Sequence, residues 1–416
     1  MLFLLTRVCK YYLLSPIYLY VLFASMSIII SVWYFYFFEN KFSLFNLDKV
    51  SETNFLKVIK LYIIALISFI IGVLIYYDAS KKKTKKVFNQ SFFNSLFLSY
   101  KVNKEIKITG VVLFYVIIIL YLITYGKGIF IREEYLPETN RGLTIIIKIL
   151  SFIEVIILGL TYKSQKLIST VYFILLLLIS IGTGSRSVFL FFLGFVTLVF
   201  VSNGNTLFNK VRFSIHLIIS FLFLAYIMQL RELESHGIIP YLKSVSSGSG
   251  SFVRSFFFNI YYSFIYGVFV TIETIRKATL DWNIIFISIN PLPGSIAGWY
   301  DYAEKMRINI YAPYSLHGRV FKMGYSFTII YFFITGVIFS FFERKIRLLL
   351  EKKKRILSFI LFLILMLHIV YAFEYNMRAA VRYIYYAFFI LLLMYLSNQV
   401  FLNLPKKQRK NYDEKE

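Results

Sequence analysis

The chain has 416 residues, 59% of them hydrophobic and 20% aromatic, and 46 Lys and Arg against 21 Asp and Glu give it a formal net charge of +25. A mean hydropathy of +0.70 excludes an ordinary water-soluble domain. In an apolar chain such a positive balance is an orientation signal and an attraction for anionic lipid headgroups, not a nucleic-acid footprint. Cys9 is the one cysteine, which excludes an internal disulfide and a thiolate metal cluster.

A helix needs about 20 apolar residues to cross a bilayer. Runs long enough lie at 16–38, 58–77, 108–125, 143–161, 167–182, 186–202, 213–230, 325–342, 356–372 and 383–402. The first apolar stretch leads into a full span without a small-residue cleavage site, so no cleavable signal peptide is expected. The expected fold is an all-α polytopic membrane protein with about 10–12 transmembrane helices, forming one multi-span domain over residues 1–416. Basic segments at Lys81–Lys86, Arg344–Arg355 and Lys406–Lys410 fall on one side together with both termini, and the positive-inside tendency makes that side cytoplasmic.

The opposite side carries short connections at 39–57, 126–142, 183–187 and 373–382, and one long one at 231–324. Long connections are often functional. This one is apolar in parts, and its stretch around 252–272 reads as an interfacial or re-entrant helix. No internal repeat is evident in the chain.

Cations on the two sides differ in kind. Lys dominates the cytoplasmic side, while the other side gathers Arg132, Arg141, Arg186, Arg231, Arg254, Arg276, Arg307, Arg319, Arg378 and Arg382. Guanidinium binds phosphate or carboxylate through two parallel hydrogen bonds and stays charged when partly dehydrated. Arg186 sits in the turn GTGSRS that opens a span, where glycines admit a ligand to the backbone and a helix N-terminus favours an anion. Arg378 and Arg382 lie four apart in FEYNMRAAVRYIYY and would share a helix face. Arg319 lies beside His317, just before a span. Plainer roles stay open for each: headgroup snorkelling for Arg186, an i,i+4 ion pair of Glu374 with Arg378, and a juxtamembrane anchor for Arg319.

Proton carriers are few: His236, His317 and Glu374 are the candidates on that side, while His216 and His368 fall within spans. Lys60, Lys148 and Glu154 are charges near span ends in otherwise apolar segments. No two Asp residues have DxD spacing, and the phosphate-loop, dinucleotide, zinc-protease and nucleophile-elbow motifs are absent, so no metal or cofactor is expected.

The segments GTGSRSVFL, INPLPGS and FEYNMRAAVRYIYY, in this order over about residues 180–390, resemble the Wzy-type polymerases of bacterial O-antigen and capsular polysaccharide. The resemblance implies a membrane glycosyltransferase of GT-C-like architecture in the cytoplasmic membrane, with its large loop on the outer face. Its substrate would be undecaprenyl-diphosphate-linked oligosaccharide repeat units, joined by block transfer. Its partners would be membrane lipids and a chain-length regulator protein, with no nucleic acid. Catalytic positions would be Arg186, Arg319, Arg378, Arg382, His317 and Glu374, and substrate-binding positions Arg141, Arg231, Arg254 and Tyr314. An O-antigen ligase or a flippase for lipid-linked oligosaccharide would use similar arginines, and both stay open.

Overall fold

The computed structural model describes residues 15–38, 50–79, 102–134, 137, 139–184, 187–202, 230, 233–246, 260–303, 305–308, 313–352, 354–374 and 376–402, with a few isolated positions between 212 and 257. Within these the chain is helical, with two isolated antiparallel bridges and no strand. In chain order the helices are α1 (Pro16–Phe37), α2 (Glu52–Ala79), α3 (Lys104–Tyr125), α4 (Arg141–Thr161), α5 (Lys166–Gly182), α6 (Ser187–Ser202), α7 (Ile238–Ser246), α8 (Tyr266–Lys277), α9 (Trp282–Ile289), α10 (Trp299–Ala303), α11 (Leu316–Lys322), α12 (Tyr325–Glu351), α13 (Arg355–Glu374) and α14 (Met377–Leu402).

Six of the described helices are long and apolar enough to cross a membrane: α1, α2, α3, α4, α12 and α14. Three more, α5, α6 and α13, contain shorter apolar stretches. Nine of the ten expected spans thus coincide with described helices, and the tenth, 213–230, lies almost wholly outside the described residues. The basic segment expected as a loop from Arg344 is instead helical as far as Glu351. Its polarity is absorbed by a buried ion pair: Arg347 Nε and Nη2 donate to Glu343 Oε1 at 2.7 and 2.5 Å. Ser15 Oγ donates to the other carboxylate oxygen at 2.8 Å.

The chain divides into two compact units, Met1–Phe92 with Tyr261–Glu416, and Phe93–Ile260. The connection expected at 231–324 is therefore shared between them at Tyr261.

In the first unit α2 and α12 make the most extensive contact, and glycine sets their approach. Gly72 faces the Phe333 carbonyl, and Gly336 faces the Phe69 carbonyl; neither place has room for a Cβ. Small residues at such crossings let backbones meet closely where lipid supplies no hydrophobic drive. Around this contact pack aromatic rings, with Tyr20 stacked on Phe69 at 4.1 Å and set edge-on to Phe339 at 5.5 Å. Helix α8, preceded by a π-helical turn at Tyr261–Ile265, is buried from Tyr266 to Thr274. A hydroxyl chain fixes it: Tyr62 Oη and Thr271 Oγ1 are 3.0 Å apart, and Thr271 Oγ1 and Ser315 Oγ 2.9 Å.

The second unit packs α3, α4, α5 and α6 around Phe114, Ile117, Val155, Leu158, Phe173, Leu176 and Phe195. Asn140 caps α4 by accepting from Gly142 N at 2.9 Å, which explains why the helix starts there.

Candidate functional site: guanidinium groups at helix ends

The first unit brings five of the expected residues, Tyr314, His317, Arg319, Arg378 and Arg382, onto neighbouring elements. Between α8 and α11 the chain folds back through α9 and α10 over an apolar cluster of Ala278, Ile284, Met306 and Tyr314, with Trp299 and Tyr302 against it. Asp281 caps α9, accepting from Asn283 N at 2.8 Å, and Ser315 caps α11, accepting from Gly318 N at 2.9 Å.

Arg319 and Lys322 then lie on α11 where α8 ends. Lys322 Nζ donates to the Ile275 carbonyl at 2.8 Å, and Arg319 Nη1 to the Thr279 carbonyl at 3.3 Å. Carbonyls at a helix C-terminus carry partial negative charge and lack intrahelical donors, so cations suit them. Arg319 is buried, and its guanidinium carbon lies 4.8 Å from the centre of the Tyr314 ring. Burial draws its pKa below the ordinary arginine value, while Tyr314 and Asp281 pull the other way.

Arg378 does the same for α9. Its Nη1 donates to the Ile287 and Asn290 carbonyls and its Nη2 to the Leu292 carbonyl. Tyr385 Oη, two turns further along α14, donates to the Ile289 carbonyl. Arg378 is buried, and its guanidinium carbon is 5.2 Å from the Trp299 ring centre. The INPLPGS segment is thereby tied to the first turn of α14.

Arg382 is partly exposed on the next turn of α14 and has no hydrogen bond or ion pair with any described residue. Its charge stands close enough to Arg378 to be felt there, with the phenols of Tyr300, Tyr385 and Tyr386 also near. The i,i+4 spacing thus gives the shared face expected, but with divided duties: one guanidinium is spent on backbone and the next is open.

His317 is 1% exposed. It stacks between Tyr62, Phe332 and Phe373, at centroid distances of 4.7, 5.3 and 4.6 Å. Its Nδ1 is 3.0 Å from the Ala372 carbonyl, which makes that nitrogen the donor. Burial pushes its pKa down to about 3. A neutral ring sealed among aromatics is a packing element. The side chain of Glu374, one turn before Arg378, lies outside the described residues.

The second unit has a comparable device. Arg132 Nη1 donates to the Gly128 carbonyl at 2.8 Å and to the Gly182 carbonyl, at the end of α5, at 2.5 Å. Its backbone pairs with that of His236, at 2.8 and 2.7 Å. Gly237 follows with φ +117°, and a Cβ there would strike the Phe130 carbonyl. His236 is buried, with Nδ1 3.2 Å from Tyr241 Oη. Burial, and next the Arg132 charge, lower its pKa. Arg186, Arg231 and Arg254 lie outside the described residues, as does the side chain of Arg141.

Sequence reasoning grouped Arg132 with the other cations without weighting it, and passed over Lys322 and Tyr385. Their partners are backbone carbonyls, which leave no side-chain motif to find. Among the described residues no group of three or more His, Cys, Asp or Glu is placed to hold a metal ion. Comparison of the chain with protein-family models, with curated proteins and with solved structures returned no match.

Proposed function

We propose that the chain is a membrane glycosyltransferase of the Wzy type, which joins oligosaccharide units carried on a polyprenyl diphosphate at the outer face of the cytoplasmic membrane. One observation carries this reading: Arg382 is an open guanidinium beside Arg378, with no carboxylate paired to either among the described residues. The open guanidinium of Arg382, with the positive charge of Arg378 one turn away and Trp299, Tyr300 and Tyr386 near that charge, suits a diphosphate with sugar attached.

In this reaction the acceptor hydroxyl attacks the anomeric carbon of the donor glycan. The bond from that carbon to the diphosphate breaks, its electron pair leaves on the phosphate oxygen, and the hydroxyl proton passes to a base. Negative charge grows on the leaving diphosphate, where a preorganised donor contributes on the order of 2–4 kcal/mol. Arg382 supplies that donor. Arg378 and Arg319 hold the surrounding loop, Arg378 by fixing the end of α9 and Arg319 by fixing the end of α8. His317 and His236 are buried and hydrogen-bonded, which leaves Glu374 as the base to test. A second reading, a transporter of the same lipid-linked glycans, draws support from one observation, the complete burial of Glu154 within α4.

The test is the lipid-linked glycan profile of a strain lacking this gene, complemented with wild type or with Arg382→Ala at matched membrane levels. The expected result is single units on the carrier in the deletion, and roughly a hundred- to thousandfold less polymer with Arg382→Ala than with wild type. Long polymer still forming on the carrier in the deletion strain overturns the polymerase. Wild-type polymer with Arg382→Ala overturns the arginine mechanism.

A further inference from the structure

Glu154 lies within the apolar stretch of α4 that is long enough to cross a membrane, and its side chain is fully buried. Neither carboxyl oxygen has a hydrogen-bond partner among the described residues. Its surroundings are nearly apolar. On α3 the glycine at 110 faces it, so that a Cβ there would come within 3.9 Å of Oε1. On α5 Tyr172 is near enough to feel its charge, and its ring is set edge-on to that of Tyr115 of α3 at 6.2 Å. Helix α6 carries no titratable side chain. Lys107, one turn before Gly110 on α3, and Lys148 of α4 itself make no ion pair with it.

An ionised carboxylate in such a place would give up its water and receive no donor in return, a cost of several kcal/mol or more. A side chain needed only to fill the space would be Leu, which carries no such cost. Two oxygens without a partner among the described residues, full burial and a nearly apolar shell, in which Ile157 fills the space beside Gly110, together mark a place where a proton is the ligand. We propose that Glu154 is a proton-binding site inside the second unit, a carboxyl that takes up and releases one proton without leaving the helix bundle. On release the O–H bond breaks, its electron pair stays on the carboxylate oxygen, and the proton passes to water. The proposal does not depend on the glycosyltransferase reading.

The test uses the full-length protein in proteoliposomes and dicyclohexylcarbodiimide, an apolar reagent that modifies protonated carboxyls. Labelled peptides are mapped by mass spectrometry across a series of pH values, with Lys107→Met run alongside. Expected is an adduct at Glu154 in mildly acidic buffer that falls at least tenfold in alkaline buffer, unchanged by Lys107→Met. The mapping needs no change at Glu154, so folding of a variant does not limit it. Absence of the adduct, an adduct independent of pH, or one that appears only when Lys107 is removed would each overturn the proposal, the last by showing an ion pair.

Discussion

The Arg378 guanidinium lies 5.2 Å from the centre of the Trp299 ring and reaches back 91 residues along the chain to the Ile287 carbonyl at the end of α9. A planar fork can serve the Ile287, Asn290 and Leu292 carbonyls together, which a single ammonium cannot. Arg378→Lys is therefore expected to loosen residues 282–299, at a cost of about 1–3 kcal/mol from unsatisfied carbonyls. Arg382→Lys keeps its charge and disturbs no described bond. Hydrogen exchange of the full chain in detergent separates the two: the first variant speeds exchange across 282–299, and the second leaves it as in wild type.

His317 makes a prediction about acid. An exposed histidine takes up its proton near 6.5, whereas His317 in the folded chain does so only near about 3. Between these values the unfolded chain binds more protons, so stability falls as pH falls through that window. The loss reaches about 1.4 kcal/mol per pH unit for this one group, and its full contribution is present above the upper value. His317→Phe keeps a ring among Tyr62, Phe332 and Phe373 and gives up one hydrogen bond, worth about 1 kcal/mol. Its Tm should be slightly lower at neutral pH and fall less steeply on acidification than that of wild type. An unchanged acid slope would place the proton uptake elsewhere.

These two residues mark where sequence reading reached and where it stopped. Helices α1 to α6 and α12 to α14 were legible because an apolar run of span length has few alternatives in lipid. The i,i+4 relation of Arg378 and Arg382 was legible because helical spacing alone gives it. The partners of Arg378, Arg319 and Arg132 were not, since each is a carbonyl at a helix end brought close by tertiary folding. His317 read as a loop histidine because α11 is a short polar-looking segment, and only the packing of Tyr62 and Phe373 against it shows its burial. Glu154 read as a charge near a span end, although its carboxyl is sealed among α3, α4 and α5.

Gly72 and Gly336 test the crossing of α2 and α12. A methyl group at either meets a carbonyl on the facing helix, Phe333 in one case and Phe69 in the other. Backbone cannot step aside as a side-chain tip can, so Gly72→Ala and Gly336→Ala should each destabilise by about 1–3 kcal/mol or more. Gly128, where a Cβ meets nothing within 4 Å, serves as the control. Thermal aggregation of the detergent-solubilised protein checks this: both α2–α12 variants should aggregate at lower temperature, and Gly128→Ala should match wild type.

The buried pair of Glu343 and Arg347 gives a reciprocal prediction. Both side chains are 1% exposed, and the Ser15 hydroxyl at the start of α1 completes the carboxylate's shell. Removing Arg347 leaves the Glu343 carboxylate away from water with the Ser15 hydroxyl as its described donor, so Arg347→Met alone should cost about 3–5 kcal/mol, and Glu343→Leu alone should also destabilise. Removing both at once removes the stranded charge as well. The double variant Glu343→Leu with Arg347→Met should therefore recover most of the loss, leaving Ser15 Oγ without its acceptor at a cost of about 1 kcal/mol. The Tm values of the four proteins form a double-mutant cycle, and a coupling of several kcal/mol is expected. Additive losses would mean that water reaches the pair in the folded protein, and that α12 does not seal its polar end against α1.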